Sequence, residues 1–360
     1  MAMTGIERIG NILQRKPVDR IGLYEHFWGD TLQKWQAGGH ISEGEDLATH
    51  FGFDMTTMGP LSMVADLDFV PEILEETEET VVTRDGNGAV LRRHKLHSST
   101  PEHIDFAVKE RPAWEELIKP RLQEPDRRRI NFEGYREAKR AAAESDRFFC
   151  WAGVNCFELM HPVCGHEHML VGMAMDPDWV RDMAMTFVDL SIKLQEILFA
   201  EEGLPDGIWY YEDMGFKQRP FMSPSMYREI IKPAHEKTMA YAHSLGLRVI
   251  MHSCGFVEPL LPDMVDAGID CLQVMEVKAG MDPLRIKKNF GDRLSLFGGM
   301  DAQNLVANDL DAIKAELEAK IPSLMEGFGY ILHSDHSIPT TTDYETYRYF
   351  VDEGLRLGTY

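Results

Sequence analysis

The sequence predicts an α/β fold, a (β/α)8 TIM barrel with N-terminal insertions, on three observations. Short β-branched or aromatic runs alternate with helical stretches, the pattern of a parallel sheet. These runs number about eight, the count that closes a barrel. No GxGxxG follows the first run, which removes the main signal for an open doubly wound sheet. The 360 residues are read as one domain over 1–360, about 250 residues of barrel plus insertions.

In chain order, a helix is expected over Gly5–Gln14, then a first strand at the apolar run Ile21–Tyr24 and a second near Asp54, after the FGFD turn at Phe51–Asp54. Between Thr80 and Leu96, Asp85, Gly86, Asn87 and Gly88 separate two β-rich runs. These residues tolerate positive φ, so the segment reads as a β-hairpin insertion over about 78–97. Asp105–Ser145 is polar and broken by Pro112, Pro120 and Pro125, with helical periodicity at Phe132–Ala143, and reads as a surface layer. The remaining strands are expected at Arg147–Gly153, Gly207–Tyr211, Leu247–His252, Ile269–Met275, Arg293–Gly298 and Phe328–Leu332.

Composition narrows the function. With 44% hydrophobic and 27% charged residues the chain can build a sizeable core, which excludes disorder and collagen-like order. Lys+Arg 37 against Asp+Glu 59 gives −22, a charge that repels phosphate backbones and anionic membranes, so no nucleic-acid partner is expected. The N-terminus carries Glu7 and Arg8 and no apolar core of a secretory signal, and no run is long enough for a membrane span. A cytoplasmic location is expected. Cys150, Cys156, Cys164, Cys254 and Cys271 are too few and scattered for a disulfide framework, leaving buried thiols or metal ligands. Oligomeric state stays open; a homodimer would have to rely on a local apolar patch on this acidic surface.

Barrel active sites form at the C-terminal ends of strands, so the residues after each run carry the argument. Five consecutive ends are polar: Glu212 and Asp213; His252, Ser253 and Cys254; Glu276; Asp301; and His333, Ser334, Asp335 and His336. A single strand-end acid often caps the next helix, but five such ends on one face point to a site. His252 and Cys254 form HxC, which can aim an imidazole and a thiolate at one ion. That mixed set favours Zn2+, and a catalytic site needs only three protein ligands. His336 is the first choice for the third ligand, with Glu276, His333 and Asp335 chemically acceptable. Cys164-Gly-His166-Glu-His168, with His161 nearby, is read as a loop or helix start before Ala174–Leu198 whose interleaved residues suggest a polar turn, and it is set aside as a metal site. The 21 methionines read as core filler.

From Gly207 to Pro339 the motifs YYEDMGFK, PFMSPSMYREIIKP, MHSCG, GGMDA and GYILHSDHSIP resemble the uroporphyrinogen decarboxylase superfamily, whose other large branch is the corrinoid-dependent methyltransferases. The resemblance implies the same barrel. Decarboxylases of this family are metal-free and carry an arginine-bearing N-terminal segment; the corresponding Leu23–Trp35 has no arginine and offers Glu25, His26 and Asp30, which repel a polycarboxylate. The methyltransferase branch is closer, because its coenzyme M members ligate zinc through HxC and a later Cys, a position that falls here on His336. Glu276 matches a family acidic position beside the metal.

The LHSDHSIP ending is similar to methyltransferases of methoxylated aromatics that use a separate corrinoid protein. The implied reaction moves a methyl group from a small methoxylated donor to the Co(I) of a cobalamin-type corrinoid on that partner, with Zn2+ held by His252, Cys254 and His336 or Glu276. Glu212, Asp213 or Asp335 would donate the proton. Tyr24, His26, Trp28, Phe216, Asp301 and His333 are expected to bind substrate or cofactor. The alternatives are methyl transfer from methylcorrinoid to a thiol, metal-free decarboxylation of a uroporphyrinogen, and non-catalytic tetrapyrrole binding.

Overall fold

The computed structural model describes residues 2–96 and 100–360. Eight strands form one parallel sheet: β1 (Gly22–Leu23), β2 (Met55–Met58), β7 (Phe148–Val154), β8 (Gly207–Tyr211), β9 (Arg248–Ser253), β10 (Cys271–Val274), β11 (Ser295–Gly298) and β12 (Tyr330–Leu332). Their spatial order is β1-β12-β11-β10-β9-β8-β7-β2, the cyclic order of a barrel, with helices between strands covering the outside. β7, β8 and β9 have the expected lengths, whereas β1, β10, β11 and β12 are two or three residues shorter than their apolar runs. Several are buried along their whole length, as a sheet covered on both faces requires.

β1 and β2 meet at the seam. The Asp54 amide donates to the Leu23 carbonyl at 2.9 Å, and the Asp54 carboxylate accepts from the Leu23 amide at 2.9 Å. The same carboxylate takes Arg8 at 2.5 Å and Arg20 at 2.7 and 2.9 Å. Arg8 comes from the N-terminal helix Gly5–Ile12, which starts on a Thr4–Glu7 capping box. Ile9 and Ile12 of that helix, with Leu13, pack beneath Trp209, Ile250, Phe297 and Ile331 and stop the lower end of the barrel.

The expected hairpin is present as β4 (Thr80–Arg84) and β5 (Ala89–His94). Asp85 accepts from the Asn87 and Ala89 amides, and Gly88 takes φ +76°. It belongs to a wider four-stranded antiparallel sheet with β3 (Glu72–Glu76) and β6 (Glu102–Phe106), so the insertion extends beyond 78–97 in both directions; position 97 itself lies outside the described residues. β3 escaped prediction because its EILEE is fully exposed and shows no apolar alternation. Of the loop or helix start expected for His161 to His168, the structure shows helix: they lie within the helix Cys156–Met175, which kinks at Gly165.

Because Asp54 is buried with two arginines, Asp54→Ala is expected to cost about 3–5 kcal/mol, read as a fall in the urea midpoint. Arg128→Ala, which breaks only exposed pairs with Asp68 and Asp126, should leave the midpoint nearly unchanged. Equal midpoints for the two variants would refute the role given to the seam.

Candidate metal and substrate site

The C-terminal ends of β8, β9, β10 and β12 and the segment after β1 enclose a cavity of about 270 Å3, lined by His26, Trp28, Tyr211, His252, Cys254, Gln273, His333 and His336, among others. Two glycines bring its metal-binding edge together. A Cβ on Gly215 would sit 2.4 Å from the Cys254 carbonyl oxygen, and one on Gly255, at φ +75°, would sit 2.3 Å from the Gly215 carbonyl carbon. Only backbone without side chains allows this approach. It lays the Asp213 loop against the HxC turn, where Asp213 Oδ1 accepts from the Cys254 amide at 2.7 Å.

Asp213, His252 and Cys254 thereby place one ligand atom each within 4.8 Å of one another. His252 Nε2 lies 3.2 Å from Asp213 Oδ1 and 3.3 Å from Cys254 Sγ. Its Nδ1 bonds Gln273 Oε1, the outer partner that fixes a ligating imidazole and leaves Nε2 free for a metal. Burial opposes charge on His252, but Cys254 and Asp213 outweigh it and hold the ring well above the ordinary imidazole value. Burial likewise raises the Cys254 thiol against the pull of His252. Asp213 resists burial through His252 and is lowered to about 2. An oxygen, a nitrogen and a sulfur donor with a supported imidazole suit Zn2+.

A second line of polar groups crosses the cavity floor. Glu25 Oε1 lies 2.9 Å from His333 Nε2, which lies 3.2 Å from His26 Nδ1. His26 Nε2 in turn lies 3.2 Å from the Tyr211 hydroxyl. Burial, reinforced by His333 and His252, keeps His26 well below the ordinary imidazole value and therefore neutral. His333 donates its Nδ1 hydrogen to the Ser334 carbonyl, and His26 spans His333 and the Tyr211 hydroxyl with its two ring nitrogens.

Other predicted residues lie elsewhere. Glu212, expected as a proton donor, is fully buried beneath the site. It accepts from the Phe157 and Glu158 amides at 2.8 and 3.1 Å and pairs with His235 at 2.6 Å; it caps the helix Cys156–Met175. Asp335 is spent in the same way on the Val277 and Ala302 amides at 2.7 and 2.8 Å. Glu276 accepts from the Gly255 amide at 2.7 Å and faces Lys278. Asp301 caps the helix Ala302–Val306, and Phe216 is half exposed outside the cavity. Tyr24 lies deeper, its ring edge-on to His26 and Trp209.

His336 lines the cavity, stacked on Trp28, but the third group drawn to His252 and Cys254 is Asp213. Tyr211 and Gln273 were not singled out from the sequence. Their signal is a polar residue within or ending an otherwise apolar strand, WYY and CLQV.

A family model described as "Uroporphyrinogen decarboxylase (URO-D)" matches residues 157–355. Over 113 residues the chain is 36% identical to a methylcobamide:CoM methyltransferase, MtaA, of Methanosarcina barkeri, and the match covers 30% of this chain and 32% of that relative. The counterpart from strain Fusaro is 34% identical over the same length. The chain thus matches about a third of the length of these relatives. Among solved structures it is similar to a methyltransferase from Methanosarcina mazei, with TM-score 0.69 and 19% identity covering 98% of both chains, which shows the shared fold.

Glu212→Ala is expected to cost about 3 kcal/mol, with Glu212→Gln recovering part because it keeps an acceptor oxygen. A Glu212→Gln protein that folds normally yet transfers nothing would instead make Glu212 a proton donor. Burial raises Asp335 from 3.8 to about 6, so the folded carboxyl takes up its proton before the unfolded one does. Ionised Asp335 weakens the fold above that window, and stability rises as pH falls through it, by up to about 3 kcal/mol. A wild-type minus Asp335→Asn stability difference that is flat with pH would contradict this.

Proposed function

The chain belongs to the uroporphyrinogen decarboxylase family, and from that premise we propose that it is a zinc-dependent methyltransferase working between a small molecule and the corrinoid of a separate protein. The observation that carries this reading is the convergence of Asp213, His252 and Cys254 with Gln273 behind the imidazole. Decarboxylation is disfavoured by the cavity wall, which among the described residues includes no arginine or lysine to receive a polycarboxylate.

Asp213, His252 and Cys254 would hold the ion, and His336 faces the same space. When bound, zinc supplies Lewis acidity at the oxygen that loses its methyl group. Trp28, His336 and Tyr211 offer flat faces to an aromatic donor. Tyr211 also lines an adjoining cavity of about 390 Å3 walled by Leu61, Met63, Trp151 and Leu159, room for the apolar body of a methoxylated aromatic. Neutral His26 positions the Tyr211 hydroxyl at the cavity wall, beside the space left for the departing oxygen. Burial raises Tyr211 far above the ordinary phenol value, so it acts as a hydrogen-bond donor and stays protonated. The reverse chemistry, methyl transfer from a methylcorrinoid to a thiol, is the second reading, favoured by the name of the Methanosarcina barkeri relatives.

Purified protein is expected to hold about one zinc per chain at this site, lost in His252→Ala and in Cys254→Ala together with methyl transfer. Gln273→Ala should weaken zinc about 10–100-fold, and Asp213→Ala more than His336→Ala. Metal-free His252 and Cys254 both carry protons that must leave, so zinc affinity should rise between pH 6 and pH 8. Spectral assay of Co(I) methylation by methoxylated aromatics, and of methylcobalamin demethylation by thiols, separates the two directions. Zinc content unchanged in Cys254→Ala would sink the proposal.

A further inference from the structure

We propose that His103, His161 and His166 form a second divalent-metal site, for an imidazole-seeking ion such as Zn2+, that fastens the inserted sheet to the helix Cys156–Met175. One ring nitrogen from each lies within 4.8 Å of the other two. Neither the HxC turn nor the His26–His333 line includes any of them.

The backbone works to assemble this cluster. On a regular helix, residues five apart point about 140° away from each other. The kink at Gly165, φ +74°, cancels that divergence and stacks His166 on His161 with ring centroids 4.2 Å apart. A Cβ at Gly165 would lie 2.5 Å from the Phe106 ring, so the same glycine lets β6 press against the helix. β6 then delivers His103, whose ring centroid is 5.7 Å from His161 and 6.4 Å from His166.

The hydrogen bonding is that of a ligand set. His161 Nε2 lies 2.8 Å from Glu158 Oε1, the carboxylate partner that typically orients a ligating imidazole. Its other nitrogen, Nδ1, is buried with no partner, and a buried orphan nitrogen costs free energy unless something occupies it. Burial and the neighbouring imidazoles lower His166 to about 4 and lower His103 too, so these two rings are neutral and their lone pairs available. Three imidazoles without a thiolate select Zn2+, Cu2+ or Ni2+ over Mg2+ or Ca2+. Packing of three aromatic rings is the competing explanation, and it predicts no metal.

The test uses metal-stripped full-length protein equilibrated with Zn2+, with bound metal measured by elemental analysis. Wild type is expected to hold about two ions per chain, Cys254→Ala about one, and Cys254→Ala/His166→Asn none. In the Cys254→Ala background, Zn2+ should raise the melting temperature, and His166→Asn should abolish that rise. His103→Asn, on the inserted sheet, must act in the same way as His166→Asn, which guards against a folding defect of one variant. The inference extends the zinc reading but fails separately from it. Loss of one ion on His166→Asn with none lost on Cys254→Ala supports this site and removes the HxC site. Equal zinc in Cys254→Ala with and without His166→Asn overturns this site and leaves the HxC site standing.

Discussion

The Asp54 carboxylate sits where the first and last neighbours of an eight-stranded sheet must join, and there it serves the Leu23 amide, Arg8 and Arg20 together. β1 has only two residues, too few to close a barrel by a ladder of its own. The closing bonds therefore come from a side chain and its own amide, with charges supplied from the N-terminal helix and the segment before β1. Desolvating three charged groups is costly, and the arrangement holds because each is met by an opposite charge in good geometry. With the ring closed, eight strand ends are committed to one rim, and every group of the site takes its place from that rim.

On the rim, position is set by backbone contacts as much as by side chains. The Gly215–Gly255 approach brings two loops together closely enough for one carboxylate oxygen to bond the Cys254 amide and face the His252 ring. Gln273, one strand further on, fixes the far nitrogen of that ring. On the other side, Glu25, His333, His26 and Tyr211 form a line of polar groups that starts at a buried acid and ends at a phenol. The two arrangements share the cavity without sharing a residue, so on the proposed reading one would bind an ion while the other served the substrate oxygen.

The strand rhythm was legible because buried parallel strands are apolar runs bounded by polar turns, and because HxC follows such a run. His252 and Cys254 are also close in the chain, so their pairing needed no tertiary information. The third group did need it. Asp213 and Glu212 are adjacent acids at one strand end, but one turns to the HxC loop while the other turns under the helix Cys156–Met175 to meet its free amides. Which acid does which depends on where that helix starts in space. Asp335 and His336 divide in the same way, one spent on amides and one facing the cavity. The polar stretch from His161 to His168 was opaque for a related reason: the kink at Gly165, which gives those histidines a common direction, leaves no mark in local periodicity.

The stopper of Ile9, Ile12 and Leu13 gives the barrel a blind end. A well closed below is entered from the strand-end rim, and on the proposed reading a small substrate and a protein-borne corrinoid would both approach from that side. On that reading the smaller guest would be seated before the larger one docked over the opening, and its product would leave after the larger one withdrew. Kinetics should then follow a compulsory order, with high concentrations of the macromolecule slowing turnover by sealing an empty or spent well.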